Sequence, residues 1–252
     1  MAPIDLLSFQ LYSARNFPPL EAQLAELAGL GYARVEPYGG LYAAPDEFAA
    51  ALRRHRLSAP SGHFDLALLE DNPARAAAIA HRLEMRLVVA PYLAPPDRPK
   101  DAAGWRAFGA RLAPIAGKLR AEGLSFAWHN HDFEMRPLPD GSYPIDIVLS
   151  ASDRILWQAD VGWIARAGED PLHWLARHSG RVGALHVKDL APRGENLDEE
   201  GWADIGAGVL DIGAIVKAGI AAGAAVLVAE HDAPNDYRRF ARRSIETARS
   251  WR

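Results

Sequence analysis

Nine histidines and no cysteine define the chemistry this 252-residue chain has to offer. Without thiols there are no disulfides, zinc–thiolate sites, iron–sulfur clusters or cysteine nucleophiles. Any metal centre must be built from imidazole and oxygen. Five histidines, His63, His129, His131, His186 and His231, close short apolar runs, and the carboxylates Glu36, Glu134, Asp160 and Glu230 do the same. A charge at the end of a buried run is costly unless it is paired or metal-bound. Glu, Asp, His and Glu delivered by four different runs make an oxygen-rich set with one imidazole, which suits Mn²⁺, Mg²⁺ or Co²⁺ better than a structural zinc. The remaining histidines, His55, His81, His173 and His178, sit in amphipathic stretches and read as surface or packing residues. Arg238, Arg239, Arg242, Arg243 and Arg249 share the last such stretch and read as a solvated face.

The elements that must position these groups follow from hydrophobic periodicity. Apolar runs at residues 6–11, 33–35, 57–63, 86–93, 125–131, 155–161, 182–187 and 226–230 predict eight strands. Helical patterns lie between them at 20–29, 45–55, 73–83, 102–122, 171–178, 212–222 and 235–251, and residues 143–151 predict a short helix after the fifth strand. Asn72-Pro73 and Asp170-Pro171 read as helix caps followed by proline at the first helical position, while Gly29, Gly31 and Gly123 read as helix ends. The strands are continuously apolar or weakly alternating, as parallel strands covered by helices are. Eight such units average about 31 residues each, the scale of a single-domain (β/α)8 barrel over residues 1–252. A doubly wound sheet is disfavoured, because Ser13-Ala14-Arg15-Asn16 stands where a glycine-rich dinucleotide loop would follow the first strand. The proline-rich piece 94–100 reads as a surface loop. In such a barrel the active site gathers at the C-terminal strand ends, so the polar residues singled out above converge on one mouth.

With 49% hydrophobic and 24% charged residues the chain has the composition of a soluble globular protein, which argues against disorder. The net charge of −4 does not point to a nucleic-acid partner. Apolar runs such as 221–229 fall far short of the roughly 20 residues that span a bilayer, so no membrane partner is expected. The start, MAPIDLLSFQLYSARN, lacks a signal-peptide pattern, and a reducing cytoplasm is the expected location.

His129-Asn130-His131-Asp132-Phe133-Glu134, Asp160-x-Gly162-Trp163, Ala167-Gly168-Glu169-Asp170-Pro171, His186-Val187-Lys188-Asp189 and Gly206-Ala207-Gly208-Val209-Leu210-Asp211 together resemble the xylose isomerase-like TIM-barrel superfamily. This is the sugar phosphate isomerase/epimerase group, which also holds ketose 3-epimerases, inosose dehydratases and type IV endonucleases. The resemblance runs over nearly the whole chain and implies one divalent ion, Mn²⁺ first, with Co²⁺, Mg²⁺ or Zn²⁺ as alternatives. Its implied ligands are Glu134, Asp160, His186 and Glu230. The fifth strand departs from the epimerase pattern, since a glutamate there normally lies within the strand. Glu134 is then either the ligand or a substrate acid/base with His131 nearer the ion. Ala207 stands where many relatives place glutamate.

The implied chemistry is isomerisation or epimerisation of a keto-sugar or polyol through an enediolate. Glu230 and Glu134 are the acid/base candidates, His131 is a further one, and Lys188 would neutralise the developing oxyanion. Gln10, Tyr12, Glu36, His63, His129 and Trp163 would line the substrate pocket, with Phe64 as another flat wall. The histidine-rich fifth strand also supports a lyase of the inosose dehydratase type. A non-catalytic sugar-binding barrel is a remoter reading, and a three-metal endonuclease is disfavoured by charge and ligand count. A non-phosphorylated small-molecule substrate is preferred, and a homodimer is the default assembly.

Overall fold

Parallel apolar strands joined by amphipathic helices bury both faces when they close into a ring. A computed structural model, described over residues 2–251, shows that closure. The strands are β1 (Leu7–Gln10), β2 (Val35–Glu36), β3 (Ser61–His63), β4 (Leu87–Ala90), β5 (Ser125–His129), β6 (Ile155–Asp160), β7 (Val182–Val187), β8 (Asp189–Leu190), β9 (Trp202–Ala203) and β10 (Leu227–Ala229). All but β8 and β9 form one sheet in the order β2-β1-β10-β7-β6-β5-β4-β3, with every pairing parallel. A single bridge between Arg34 and Ser58 joins the two ends and nearly closes the barrel.

The helices are α1 (Leu20–Leu30), α2 (Pro45–His55), α3 (Leu66–Asp71), α4 (Pro73–Arg82), α5 (Ala102–Ala121), α6 (Pro144–Ser150), α7 (Val161–Arg166), α8 (Pro171–Arg177), α9 (Ile212–Ala221) and α10 (Tyr237–Ala248). The expected caps are present: Asn72 accepts from the amide of Arg75, and Asp170 from that of Leu172. Gly31 closes α1 with a φ of 102°, a conformation that costs glycine nothing. Helices α3 and α7 were not expected, because each is short and follows its strand almost directly. Among the described residues no helix is long and apolar enough to cross a membrane.

The barrel interior is divided by height. Leu87, Val89, Ala127, Ala184, Val226 and Val228 form an apolar plug toward the strand starts, with Leu156 packed against it. Above it, toward the strand ends, the inward positions turn polar: Gln10, Glu36, Ser61, His63, His129, Gln158, Asp160, His186 and Glu230 are all buried. Outward residues such as Phe9, Trp128, Trp157 and Leu185 pack against the helices. The expected strands 6–11, 86–93, 125–131, 155–161 and 226–230 are trimmed at their C-terminal ends, where pairing gives way to the polar residues; 182–187 is found as expected, 57–63 pairs only over Ser61–His63, and 33–35 is found at Val35–Glu36.

Strands β8 and β9 form an antiparallel hairpin over one side of the mouth. The Asp189 carboxylate fastens it by accepting from the amides of Leu190, Gly206, Gly208 and Leu210 at 2.9–3.1 Å. A Cβ on Gly208 would lie 2.2 Å from Asp189 Oδ1 and 2.3 Å from the Leu190 carbonyl, which explains the glycine there. The arginine-rich last helix is only partly the solvated face expected of it. Arg239 binds Glu199 and Asp204, and Arg243 binds Asp204, tying the hairpin loop to α10.

Candidate metal centre and substrate cleft

Donor atoms of His129, Asp160, His186 and Glu230 all lie within 4.8 Å of one another, and all four residues are buried. They come from β5, β6, β7 and the end of β10. Asp160 is oriented by its own helix: Oδ1 caps α7 by accepting from the Trp163 amide at 2.9 Å. Its Oδ2 is buried without a hydrogen-bond partner, 3.7 Å from His129 Nε2, 4.0 Å from His186 Nδ1 and 3.3 Å from Lys188 Nζ. A carboxylate oxygen that accepts no hydrogen bond, faces two imidazoles and a second carboxylate, and has the Lys188 ammonium as its counter-charge belongs to a donor set that a divalent cation would complete.

Charge supports the same fit. Glu36, Asp160, Glu230 and Asp232 surround two cationic groups, His186 and Lys188. Burial works against an imidazolium at His186, but Glu230 and Glu36 outweigh it and push its pKa up to about 10. Burial likewise disfavours the Lys188 ammonium, and Asp160, Asp232 and Glu230 hold it charged. Burial raises the pKa of Asp160 despite Lys188, as expected where carboxylates outnumber cations.

A polar relay beneath the four residues sets their orientation. Gln158 Nε2 donates to Glu36 Oε2 at 2.9 Å, so Gln158 Oε1 faces His63 Nε2 at 2.7 Å and His129 Nδ1 at 3.0 Å. An amide oxygen only accepts, which places protons on those two ring nitrogens and leaves the His129 Nε2 lone pair facing Asp160. Burial, then His186 and His131, lower the His129 pKa far below 6.5 and keep that lone pair free. Glu36 also accepts from Gln10, Ser61 and His186. Burial alone would raise the Glu36 pKa, but His63 and His186 hold it below the usual carboxylate range.

Three of the four expected ligands, Asp160, His186 and Glu230, come together, and His129 takes the fourth place in the group instead of Glu134. Glu134 is fully buried, accepting from Trp128 Nε1 at 3.1 Å and from the His131 amide at 2.8 Å. The chain turns into a short 3-10 helix at Phe133–Met135 and carries this carboxylate behind β5. Burial pushes its pKa up to about 8. Lys188 is also misplaced as an oxyanion partner: it is 1% exposed and holds Asp232 at 2.6 Å and Glu230 at 3.1 Å. Gln10 and Glu36 lie under the cleft floor as part of the relay, and Phe64 is buried in a stack on Tyr42. His231 is buried against Phe240 and accepts from the Ala233 amide.

Above the donors opens a cleft of about 650 Å³. The expected residues Tyr12, His63, His129, His131, Trp163 and Glu230 line it. The His131 ring sits among Tyr92, Phe133 and Trp163 with Nδ1 unpartnered, and burial lowers its pKa to about 3, so it is a neutral imidazole. Both hydrogen bonds of Glu230, from His186 and Lys188, fall on Oε2. Sequence reasoning missed Tyr38, Asp65, Tyr92 and Arg98 of the lining, which stand in βα loops without periodicity. It also missed the role of Gln158, although a polar residue two before Asp160 in an apolar strand marks the same inward face.

Residues 24–251 match the family described as xylose isomerase-like TIM barrel. The chain is 30% identical over 202 residues to the rhizopine catabolism protein MocC of Rhizobium meliloti, covering 71% of this chain and 59% of that protein's length. It superimposes on a sugar phosphate isomerase/epimerase from Parabacteroides distasonis with a TM-score of 0.81 and 18% identity, over 95% of this chain and 92% of the other. A xylose isomerase-like TIM barrel protein from Mycobacterium smegmatis in complex with magnesium gives a TM-score of 0.75 and 15% identity, over 98% and 97%. At these identities the structural likeness speaks for the fold. With the family match running from α1 to the end of the chain, the protein belongs to the xylose isomerase-like TIM barrel family.

Proposed function

We propose that the protein is a divalent-metal-dependent isomerase or epimerase of a small keto-sugar or polyol, acting through an enediolate in the cytoplasm. The observation that carries this reading is the convergence of buried donors from His129, Asp160, His186 and Glu230 within 4.8 Å of one another, at the floor of an aromatic-walled cleft. His129, Asp160, His186 and Glu230 would hold the ion. Two imidazoles and two carboxylates favour Co²⁺, Zn²⁺ or Mn²⁺ over Mg²⁺. Bound there, the ion supplies Lewis acidity that polarises a carbonyl and stabilises negative charge on its oxygen.

The chain's own groups do the rest. Glu230 lines the cleft with Oε2 tied to His186 and Lys188, which presents its Oε1 to take a proton from the carbon beside the carbonyl. Lys188 positions Glu230 and Asp232. Trp163 and Tyr12 offer flat faces to the substrate's C–H surface, and the buried relay through Gln158 keeps the imidazoles in register. Solvent deuterium should enter the substrate at the carbon next to the carbonyl, with activity lost in EDTA and restored by Co²⁺, Zn²⁺ or Mn²⁺. Full turnover by Glu230→Gln would overturn the assignment.

A lyase reading is favoured by one feature. With Glu134 turned away, Glu230 is the one carboxylate of the metal group that lines the cleft, and His131 in the same lining is a neutral imidazole. That asymmetry suits a single acid/base: Glu230 removes the C–H proton and returns it to the leaving hydroxyl, which departs as water. Product mass separates the two, since isomerisation conserves it and dehydration lowers it by one water.

A further inference from the structure

The cleft has two chemically different halves. The four candidate ligands occupy neighbouring strands, β5, β6, β7 and β10. The other half is built by the loops after β1, β2, β3 and β4, which supply Tyr12, Arg15, Tyr38, Asp65, Tyr92 and Arg98. The cleft volume of about 650 Å³ is that of a drug-sized ligand, in the middle of a range of roughly 300–1,000 Å³. A single sugar ring held at the metal group leaves the second half unfilled.

That half is equipped for recognition. Tyr12 and Tyr92 are 38% and 44% exposed, and among the described residues they are the only strongly exposed large aromatic side chains. Each carries an anchored guanidinium. Arg15 lies 3.8 Å over the Tyr12 ring and donates through Nη1 to the Tyr12 and Asp232 carbonyls. Arg98 lies 3.6 Å over Phe133 and donates to the Tyr92 hydroxyl and the Leu93 carbonyl. Among the described residues, Arg15 Nε and Nη2 and Arg98 Nη1 make no hydrogen bond and remain as donors beside these rings. Asp65 is exposed, packs over Gly39 and supplies an acceptor.

Half-exposed tyrosine rings bounded by fixed N–H donors and a carboxylate match the ring of a sugar, whose C–H face is apolar and whose rim carries hydroxyls. A phosphate fits less well, because Asp65, Asp132, Glu200 and Asp232 line the same cleft as the two arginines. We propose that the half of the cleft built by the β1–β4 loops is a second subsite for a sugar ring, so that the substrate is a glycoside whose reacting ring sits at the metal group. The proposal rests on the polyol reading given above and deepens it.

The test is calorimetric titration of the metal-loaded protein with matched single-ring and two-ring probes: fructose against lactulose and isomaltulose, and myo-inositol against galactinol. At least one two-ring probe should bind about tenfold more tightly than its single-ring partner. In the Tyr12→Ala/Tyr92→Ala variant, whose fold is checked by thermal unfolding, that ratio should fall to within about threefold. Equal affinities within every pair, or a preference that survives in the double variant, would overturn the second subsite and leave the polyol reading standing. If none of the five probes binds, the polyol reading fails and the subsite fails with it.

Discussion

Glu134 offers the sharpest quantitative check, because its carboxyl is fully buried and its hydrogen bonds offset that burial only in part. Its pKa is pushed from 4.5 up to about 8, chiefly by burial, against hydrogen bonds from the His131 amide and the Trp128 indole. In the pH range between those values the folded state keeps a proton that the unfolded chain has released. Stability must therefore fall as pH rises, beginning near 4.5 and levelling off above about 8. The gap is three to four pKa units, so the full cost is about 5 kcal/mol at roughly 1.4 kcal/mol per unit. Glu134→Gln removes that ionisation but offers only one acceptor to two N–H donors, which costs about 1–3 kcal/mol at every pH. The variant should be less stable than the parent at pH 5 and more stable by about 2–4 kcal/mol at pH 9. Urea unfolding followed by tryptophan fluorescence across pH 5–9 reads the difference, and every other titration is common to both proteins and cancels. A stability difference that does not change with pH would refute the reasoning.

Two further outcomes follow from the geometry. Gln158→Leu leaves the His129 and His63 N–H groups without their shared acceptor, and divalent-metal affinity measured by calorimetry should fall about 10- to 100-fold while the barrel still folds. Gly208→Ala drives a methyl into Asp189 and the Leu190 carbonyl, and should cost about 1–3 kcal/mol, a drop of roughly 2–10 °C in Tm, with faster amide exchange in the β8–β9 hairpin.

Much of the barrel was legible because the signals were local. Strand runs bounded by turns, and the caps at Asn72 and Asp170, depend on neighbours within one element. Asp160, His186 and Glu230 were legible for the same reason: each ends an apolar strand on its inward face. His129, and not Glu134, joins the candidate ligand group because two residues five apart at one strand end cannot be ranked by spacing. What decided between them was the tight turn at Phe133–Met135, together with the Trp128 indole that captures the Glu134 carboxylate. Lys188 had the right parity for the barrel interior, but only three-dimensional neighbours show Asp160, Glu230 and Asp232 gathered around it. The Tyr92 and Arg98 lip escaped altogether, since loop residues carry no periodicity.

The central claim is that His129, Asp160, His186 and Glu230 hold one divalent ion. Its most direct test is calorimetric titration of chelator-treated protein with Co²⁺ or Zn²⁺, comparing the parent with His129→Ala and Glu134→Gln at a pH where both variants are folded. The account predicts one ion per chain, binding lost or weakened more than about 100-fold in His129→Ala, and affinity within about threefold of the parent in Glu134→Gln. Binding that survives in His129→Ala but disappears in Glu134→Gln would contradict it and return the fourth ligand position to Glu134.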